Sequence, residues 1–305
     1  MKKVLNFTTL FLFIFFIICT LFLIQIFYKS QQQKFLKIVF LDVGQGDAIF
    51  IETPNGFQTL IDAGPDSTVV RSISKFLSFY DRSIDFLIAT HSDADHVAGF
   101  VDVINRFNIK SFGQNSVFDS DGLNTEINNL IELNKIDKYF LHTGNKIILD
   151  EEENIYIEIL WPEKDLQEKD NNDNSVITKI VYNEVSVMLT GDASIDIEEK
   201  LIQSFGDDFN EKTSPTKNYL KSNILKAGHH GSKTSTSQDF LSIINPEHVI
   251  ISAGKDNRFG HPHQEVIEII DDFQKSHEQN KKILETSVLG SIEFRSDGQT
   301  IWLVE

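Results

Sequence analysis

Six residues, His91-Ser92-Asp93-Ala94-Asp95-His96, follow directly on the apolar run 85–90, and no other stretch constrains this chain as strongly. The run reads as a buried strand, and the six residues turn from its end into a helix. Alternate residues of an extended segment point the same way, so His91, Asp93 and Asp95 can converge from one side of the loop. His96 then opens the helix. Imidazole and carboxylate together suit zinc, manganese or iron, and two metals can share such a cluster. A helix cap needs one Asp or Ser. Four potential ligands in six residues point to a metal instead.

Further ligand types stand after other apolar runs. The run 187–190 ends in Gly191-Asp192, and 224–227 ends in Gly228-His229-His230-Gly231-Ser232. The run 250–253 leads through Asn257 to Gly260-His261-Pro262-His263. In layered α/β sheets, sites form where strand ends meet. Taken singly, an Asp after Gly is an ordinary helix cap and a loop His is ordinarily solvated. Their joint occurrence behind four apolar runs carries the inference. His142, His248 and His277 lie in or beside ordinary strands or a polar helix and are assigned no role.

Two similar halves are expected. In the first, strands at 36–43, 48–53 and 57–63 precede a helix over 67–80, the strand 85–90, the ligand loop and a helix through Phe107. A helix near 123–136 and strands at 139–141 and 146–149 complete it. In the second, strands at 155–160, 175–182, 185–190, 224–227 and 248–252 alternate with helices around 195–205, 238–244 and 263–277. Strands at 291–295 and 300–304 close the chain. The pattern predicts an α+β fold, an αββα sandwich of two facing mixed sheets with helices outside. Residues 206–218 read as a surface insertion and 163–174 as a polar loop.

Ahead of this lies a stretch, 4–28, that carries no charge and is rich in Phe, Leu and Ile. About 20 such residues cross a hydrocarbon core. The stretch exceeds the apolar core of a cleaved signal and ends without small residues, which favours an uncleaved anchor. The expected organisation is an anchor over 1–28, a linker over 29–35 and one large domain over 36–305. Lys2 and Lys3 favour a cytoplasmic N-terminus, whereas Lys29, Lys34 and Lys37 flank the other side. The expected location is the cell membrane, single-pass, with the domain outside the cytoplasm. The one cysteine, Cys19, lies within the apolar stretch. A net charge of −17 argues against a general nucleic-acid-binding surface.

The pieces Leu41-Asp42-Val43-Gly44-Gln45-Gly46-Asp47-Ala48, Leu60-Ile61-Asp62-Ala63-Gly64, the loop 90–99, Leu189 to Asp192, Lys226 to Ser232 and Gly260-His261-Pro262 occur in an order that resembles the metallo-β-lactamase fold superfamily. Within it, the chain is most similar to the hydrolase domain of the ComEC competence family, bacterial DNA-uptake channels. The resemblance runs over essentially all of 36–305, here beside a lone N-terminal anchor. It implies that His91 and Asp93 hold a first metal and Asp95 with His96 a second. Asp192 bridges them and His229 completes the second site. Sequence does not decide between His229 and His230 as that ligand. Asp95, Asp192 and His230 are the candidates for direct catalytic work. Gln45, Asp47, Ser232 and His261 are expected behind the ligands or facing substrate, and Asp62 is expected to buttress the ligand loop. The superfamily commonly supplies a further His about twenty residues before the bridging Asp. Residues 170–175 contain none, so the first position is short of a strong ligand.

One or two divalent ions, zinc or manganese, are therefore expected, with a metal-bound hydroxide as nucleophile. The leading expectation is a membrane-anchored phosphodiesterase or nuclease acting on a phosphoester, DNA among the candidates. One alternative is an esterase on a small or wall-attached substrate such as phosphorylcholine. Another is a binding protein that kept the fold without catalysis. Fold alone does not choose among them.

Overall fold

A computed structural model describes residues 7–31, 35–78, 80–117, 122–206, 218–276 and 282–304. The chain divides into two compact units, residues 1–34 and 35–305. The first unit contains helix α1 (Phe7–Gln31). Among the described residues no helix is long and apolar enough to cross a membrane. This overturns the expected single-pass anchor and the cell-membrane location that rested on it. Lys2, Lys3, residues 32–34 of the expected linker, residues 207–217 of the expected insertion and His277 lie outside the described residues.

The second unit is built on two sheets. One joins β1 (Leu36–Phe40), β2 (Ile49–Glu52), β3 (Gln58–Ile61), β4 (Ser83–Ile88), β5 (Asn108–Gln114) and β6 (Asp137–Phe140). The other joins β7 (Lys146–Asp150), β8 (Ile155–Trp161), β9 (Ile177–Tyr182), β10 (Val185–Leu189), β11 (Ile224–Lys226), β12 (His248–Ile251) and β13 (Lys282–Glu285). The closing strands β14 (Ile292–Ser296) and β15 (Ile301–Leu303) return to the first sheet, giving the order β15-β14-β1-β2-β3-β4-β5-β6. The second sheet runs β13-β12-β11-β10-β9-β8-β7. Both are mixed: β3 to β6 are parallel in the first, and β10 to β13 in the second.

Residue periodicity produces the layers. Along β1, Leu36, Ile38 and Phe40 pack in one apolar cluster with Ile155, Ile157 and Ile159 of β8, while Val39 belongs to another. Strands alternate faces, so the first cluster is the core between the sheets. Val39 packs instead with Val69 of α2 (Thr68–Ile73), Val97 of α3 (Ala94–Val97), Phe100 of α4 (Phe100–Arg106) and Ile127 of α5 (Gly122–Leu133). On the second sheet Met188, Leu225 and Val249 pack with Ile197 of α6 (Ile195–Leu201), Phe240 of α7 (Gln238–Ile244) and Ile270 of α8 (Gln264–Ser276). Sheets covered on both faces explain the near-continuous apolar strands. The result is the expected αββα sandwich.

Several boundaries shift. The helix expected over 67–80 is the short α2, continued only by turns. The helix expected through Phe107 breaks into α3 and α4 at Gly99. There the Gly99 N–H donates to Gly64 O (2.9 Å), and a β-carbon would stand 2.0 Å from Ala63 O. Strand β13 and the following α9 (Thr286–Leu289) were not legible, since four residues beside a polar stretch give no periodicity.

Candidate metal centre

The loops after β4, β10 and β11 meet at one place. His91 to His96 follow β4, Asp192 follows β10, and His229 and His230 follow β11. A fourth contribution comes from the turn between β1 and β2. Gly46 lies at φ +120°, and a β-carbon on it would stand 1.9 Å from Asp95 O. Only glycine allows that approach, and it brings Asp47 into the cluster. His229 (φ 45°) and His230 (φ 55°) are both left-handed, a conformation that side chains with a β-carbon seldom adopt. This tight turn directs the two rings differently, with 77° between their planes.

The two buried imidazoles at the centre have fixed tautomers. His96 Nδ1 donates to Asp62 Oδ2 (2.8 Å), and His230 Nδ1 donates to the Ser252 carbonyl (2.9 Å). Each Nε2 is then the atom that holds either a proton or a metal, the arrangement typical of metal-ligating histidines. These atoms lie 3.3 Å apart. Asp192 Oδ2 is 3.2 Å from the His96 Nε2 and 3.3 Å from the His230 Nε2, and Asp95 Oδ2 is 3.4 Å from the latter. Ligand atoms on a tetrahedral zinc with bonds of about 2.0–2.1 Å are about 3.3–3.4 Å apart. The donor set His96, His230, Asp192 and Asp95 therefore fits a divalent ion. Asp47, His96, Asp192 and His230 also form a buried group with ligand atoms within 4.8 Å of one another. Because Lys226 ion-pairs with Asp47, Asp95 is the better fourth donor.

The electrostatics agree with a cation-binding site. Burial pushes His96 and His230 down, but the carboxylates together outweigh it, Asp192 with Asp62 at His96 and Asp192 with Asp47 and Asp95 at His230, and hold both well above the ordinary imidazole range. Asp192 resists the upward push of burial and is held well below the carboxylate range by His230 and His96. In this field positive charge is strongly favoured.

The other sequence-derived candidates take distinct places. His229 Nε2 lies farther out, 3.7 Å from Asp192 Oδ2, with its side chain 27% exposed. Of the His pair, the structure thus sets His230 among the donors and His229 on the open side, the reverse of the assignment carried over from the resemblance. His91 is fully buried, and its Nε2 makes no hydrogen bond but lies 3.8 Å from Asp93 Oδ2. Burial pushes His91 down to about 3. Asp93 Oδ1 accepts from Asn171 Nδ2 (2.5 Å), so one of its oxygens is already engaged. His91 and Asp93 thus make a second, poorer position, with one Asp93 oxygen already taken by Asn171. Asp62 accepts from the Thr90 N–H and hydroxyl as well as from His96, tying the loop to β3. Gln45 Oε1 accepts from Gly254 N–H (3.2 Å). Ser232 Oγ lies 3.0 Å from Thr234 Oγ1 and braces the turn. His261 stands beside the site, its ring centroid 5.4 Å from that of His229. Burial and the neighbouring histidines push it down to about 4.

Three contributors had no role assigned from sequence. Ser175 Oγ accepts from the Asp192 N–H (3.1 Å), Asn171 engages Asp93, and Lys226 reaches into the carboxylates. The one available signal was Lys226 itself, a charge at the end of an otherwise apolar strand.

The Metallo-beta-lactamase superfamily profile matches residues 41–133. ComE operon protein 3 of Bacillus subtilis is 26% identical over 272 residues, 84% of this chain and 32% of that protein. Competence protein ComA of Neisseria gonorrhoeae is 27% identical over 254 residues, 83% of this chain and 31% of its own length. The chain thus spans about a third of the length of these curated relatives. Among solved structures, CmlA, a diiron beta-hydroxylase from Streptomyces venezuelae, superposes with a TM-score of 0.53 at 12% identity, over 87% of this chain and 55% of CmlA, a likeness of fold alone. The resemblance drawn from the sequence is thereby borne out: the chain carries the metallo-β-lactamase superfamily fold, and ComE operon protein 3, ComA and Recombination protein 2 of Haemophilus influenzae, to which it is similar, are competence proteins of the ComEC family.

Proposed function

We propose that this chain is a metal-dependent hydrolase that cleaves phosphodiesters, with single-stranded DNA among its substrates. The observation that carries the reading is the convergence of His96 Nε2, His230 Nε2 and Asp192 Oδ2 within 3.3 Å of one another, with Asp95 Oδ2 adjoining. A divalent ion held there supplies Lewis acidity and lowers the pKa of water. Asp62 and the Ser252 carbonyl keep the two imidazoles in the tautomer that leaves Nε2 available. On the open side stand His229 and His261, both held below the ordinary imidazole range, by burial against the pull of Asp192 at His229 and by burial with the neighbouring histidines at His261. Their N–H groups suit hydrogen bonding to the oxygens of a phosphate, which spreads the charge that builds there. Kinship with competence proteins favours a polymeric phosphodiester over a small ester, while the −17 net charge disfavours a broad duplex-binding surface.

The test is turnover of bis-p-nitrophenyl phosphate, single-stranded DNA and a phosphorylcholine ester after loading with zinc or manganese. Hydrolysis of the first two, lost in Asp192→Asn, is expected. Turnover of the phosphorylcholine ester alone would replace this reading with the esterase one.

A further inference from the structure

We propose that Lys226 is a built-in cation of the metal centre, standing where a second positive charge is needed, so that the centre is complete with one divalent ion. Lysine is almost never fully buried unless paired, and Lys226 has no exposed surface. The packing of β11 does not call for a charge, because its neighbours Ile224, Leu225 and Ala227 are apolar and buried. The ammonium instead serves the cluster. It forms an ion pair with Asp47, donates to Gly191 O (2.9 Å) and lies 3.6 Å from Asp192 Oδ1. Asp192 is thereby divided, with Oδ2 facing the two Nε2 atoms and Oδ1 facing the ammonium.

Charge balance leads to the same place. Asp47, Asp95 and Asp192 are three carboxylates in one largely buried cluster, and uncompensated buried charge is strongly unfavourable. One divalent ion and one ammonium balance them. Asp62, a further buried carboxylate behind His96, keeps its charge but faces away from Lys226's partners and accepts three hydrogen bonds, from the Thr90 N–H, the Thr90 hydroxyl and His96. Among the described residues, the competing second position pairs His91 with an Asp93 that already binds Asn171.

The test counts ions bound to the full chain by native mass spectrometry and titration calorimetry, with zinc and with manganese, after stripping with a chelator. The wild-type chain is expected to bind one ion tightly. Lys226→Met leaves Asp47 and Asp192 Oδ1 uncompensated and should recruit a second divalent ion. The double variant Lys226→Met/Asp47→Asn removes the excess charge and should return to one. Two ions of comparable affinity on the wild-type chain, or a Lys226→Met chain with one ion at unchanged affinity, would overturn the proposal. If circular dichroism shows that Lys226→Met does not fold, the double variant decides. One ion, within about threefold of the wild-type affinity, supports the proposal. Two ions, none, or an unfolded protein refutes it.

Discussion

His96 and His230 owe their suitability as ligands to what holds their far sides, a carboxylate in one case and a backbone carbonyl in the other. Removing either ring, or converting Asp192 to Asn, takes away a donor that the other groups cannot replace. His96→Ala, His230→Ala and Asp192→Asn should each weaken metal binding by about tenfold to a hundredfold or more. His142, whose Nδ1 donates to the Thr143 carbonyl, should tolerate Ala with no change. His229→Ala should retain metal while losing turnover, because its ring stands on the open side. Calorimetry of the variants checks the set, and equal metal loss in His229→Ala and His230→Ala would return the pair to ambiguity. The ligand loop was legible in sequence because its ligands are close neighbours along the chain. The order of the His pair was not, since both residues follow the same strand and the choice rests on two consecutive left-handed backbone conformations. Asp47 and Lys226 are 179 positions apart in the numbering of the chain, and only the assembled sheets bring them together.

Elements deliver these residues, and one element contact has a pH signature. Glu198 of α6 accepts from the Thr236 N–H (2.5 Å) and the Ser237 N–H (2.8 Å), clamping the segment that joins the His pair to α7. Burial pushes its carboxyl up to about 7 despite those two donors. An acid whose folded pKa is raised binds its proton more tightly in the native state. Its favourable contribution is complete below about pH 4.5, is lost as pH rises towards 7 and is then constant. The span corresponds to at most about 3 kcal/mol. Glu198→Gln should flatten the fall in urea midpoint between pH 5 and 7.5, whatever it does to the absolute midpoint. Parallel pH profiles for the two proteins would show that Glu198 does not titrate in this range. Strands were the elements read best from sequence, because a sheet covered on both faces leaves near-continuous apolar runs such as those of β4 and β10. Helix ends were read worst. At Gly99 the sequence carries only the glycine, and the close approach of Ala63 O that requires it comes from across the fold.

At the scale of the whole molecule, the donor residues, both sheets and the three apolar clusters belong to residues 35–305. A chain of about 270 residues buries enough surface for one independent core. Residues 35–305 produced alone should therefore fold cooperatively and bind metal as the full chain does. Ligands that bind only the native state stabilise it by about 2.7 kcal/mol at a hundred times the dissociation constant. In a domain of this size each kcal/mol moves the melting temperature by about 2 °C. Zinc or manganese at that excess should raise the melting temperature by about 5 °C, in the full chain and in residues 35–305 alike, and a chelator should reverse it. Asp192→Asn should abolish most of the shift in both. A shift confined to the full chain would mean that residues 35–305 do not reach the ion-binding fold on their own. No shift in either would mean that the four converging donors hold no divalent ion, and the hydrolase reading would fall with them.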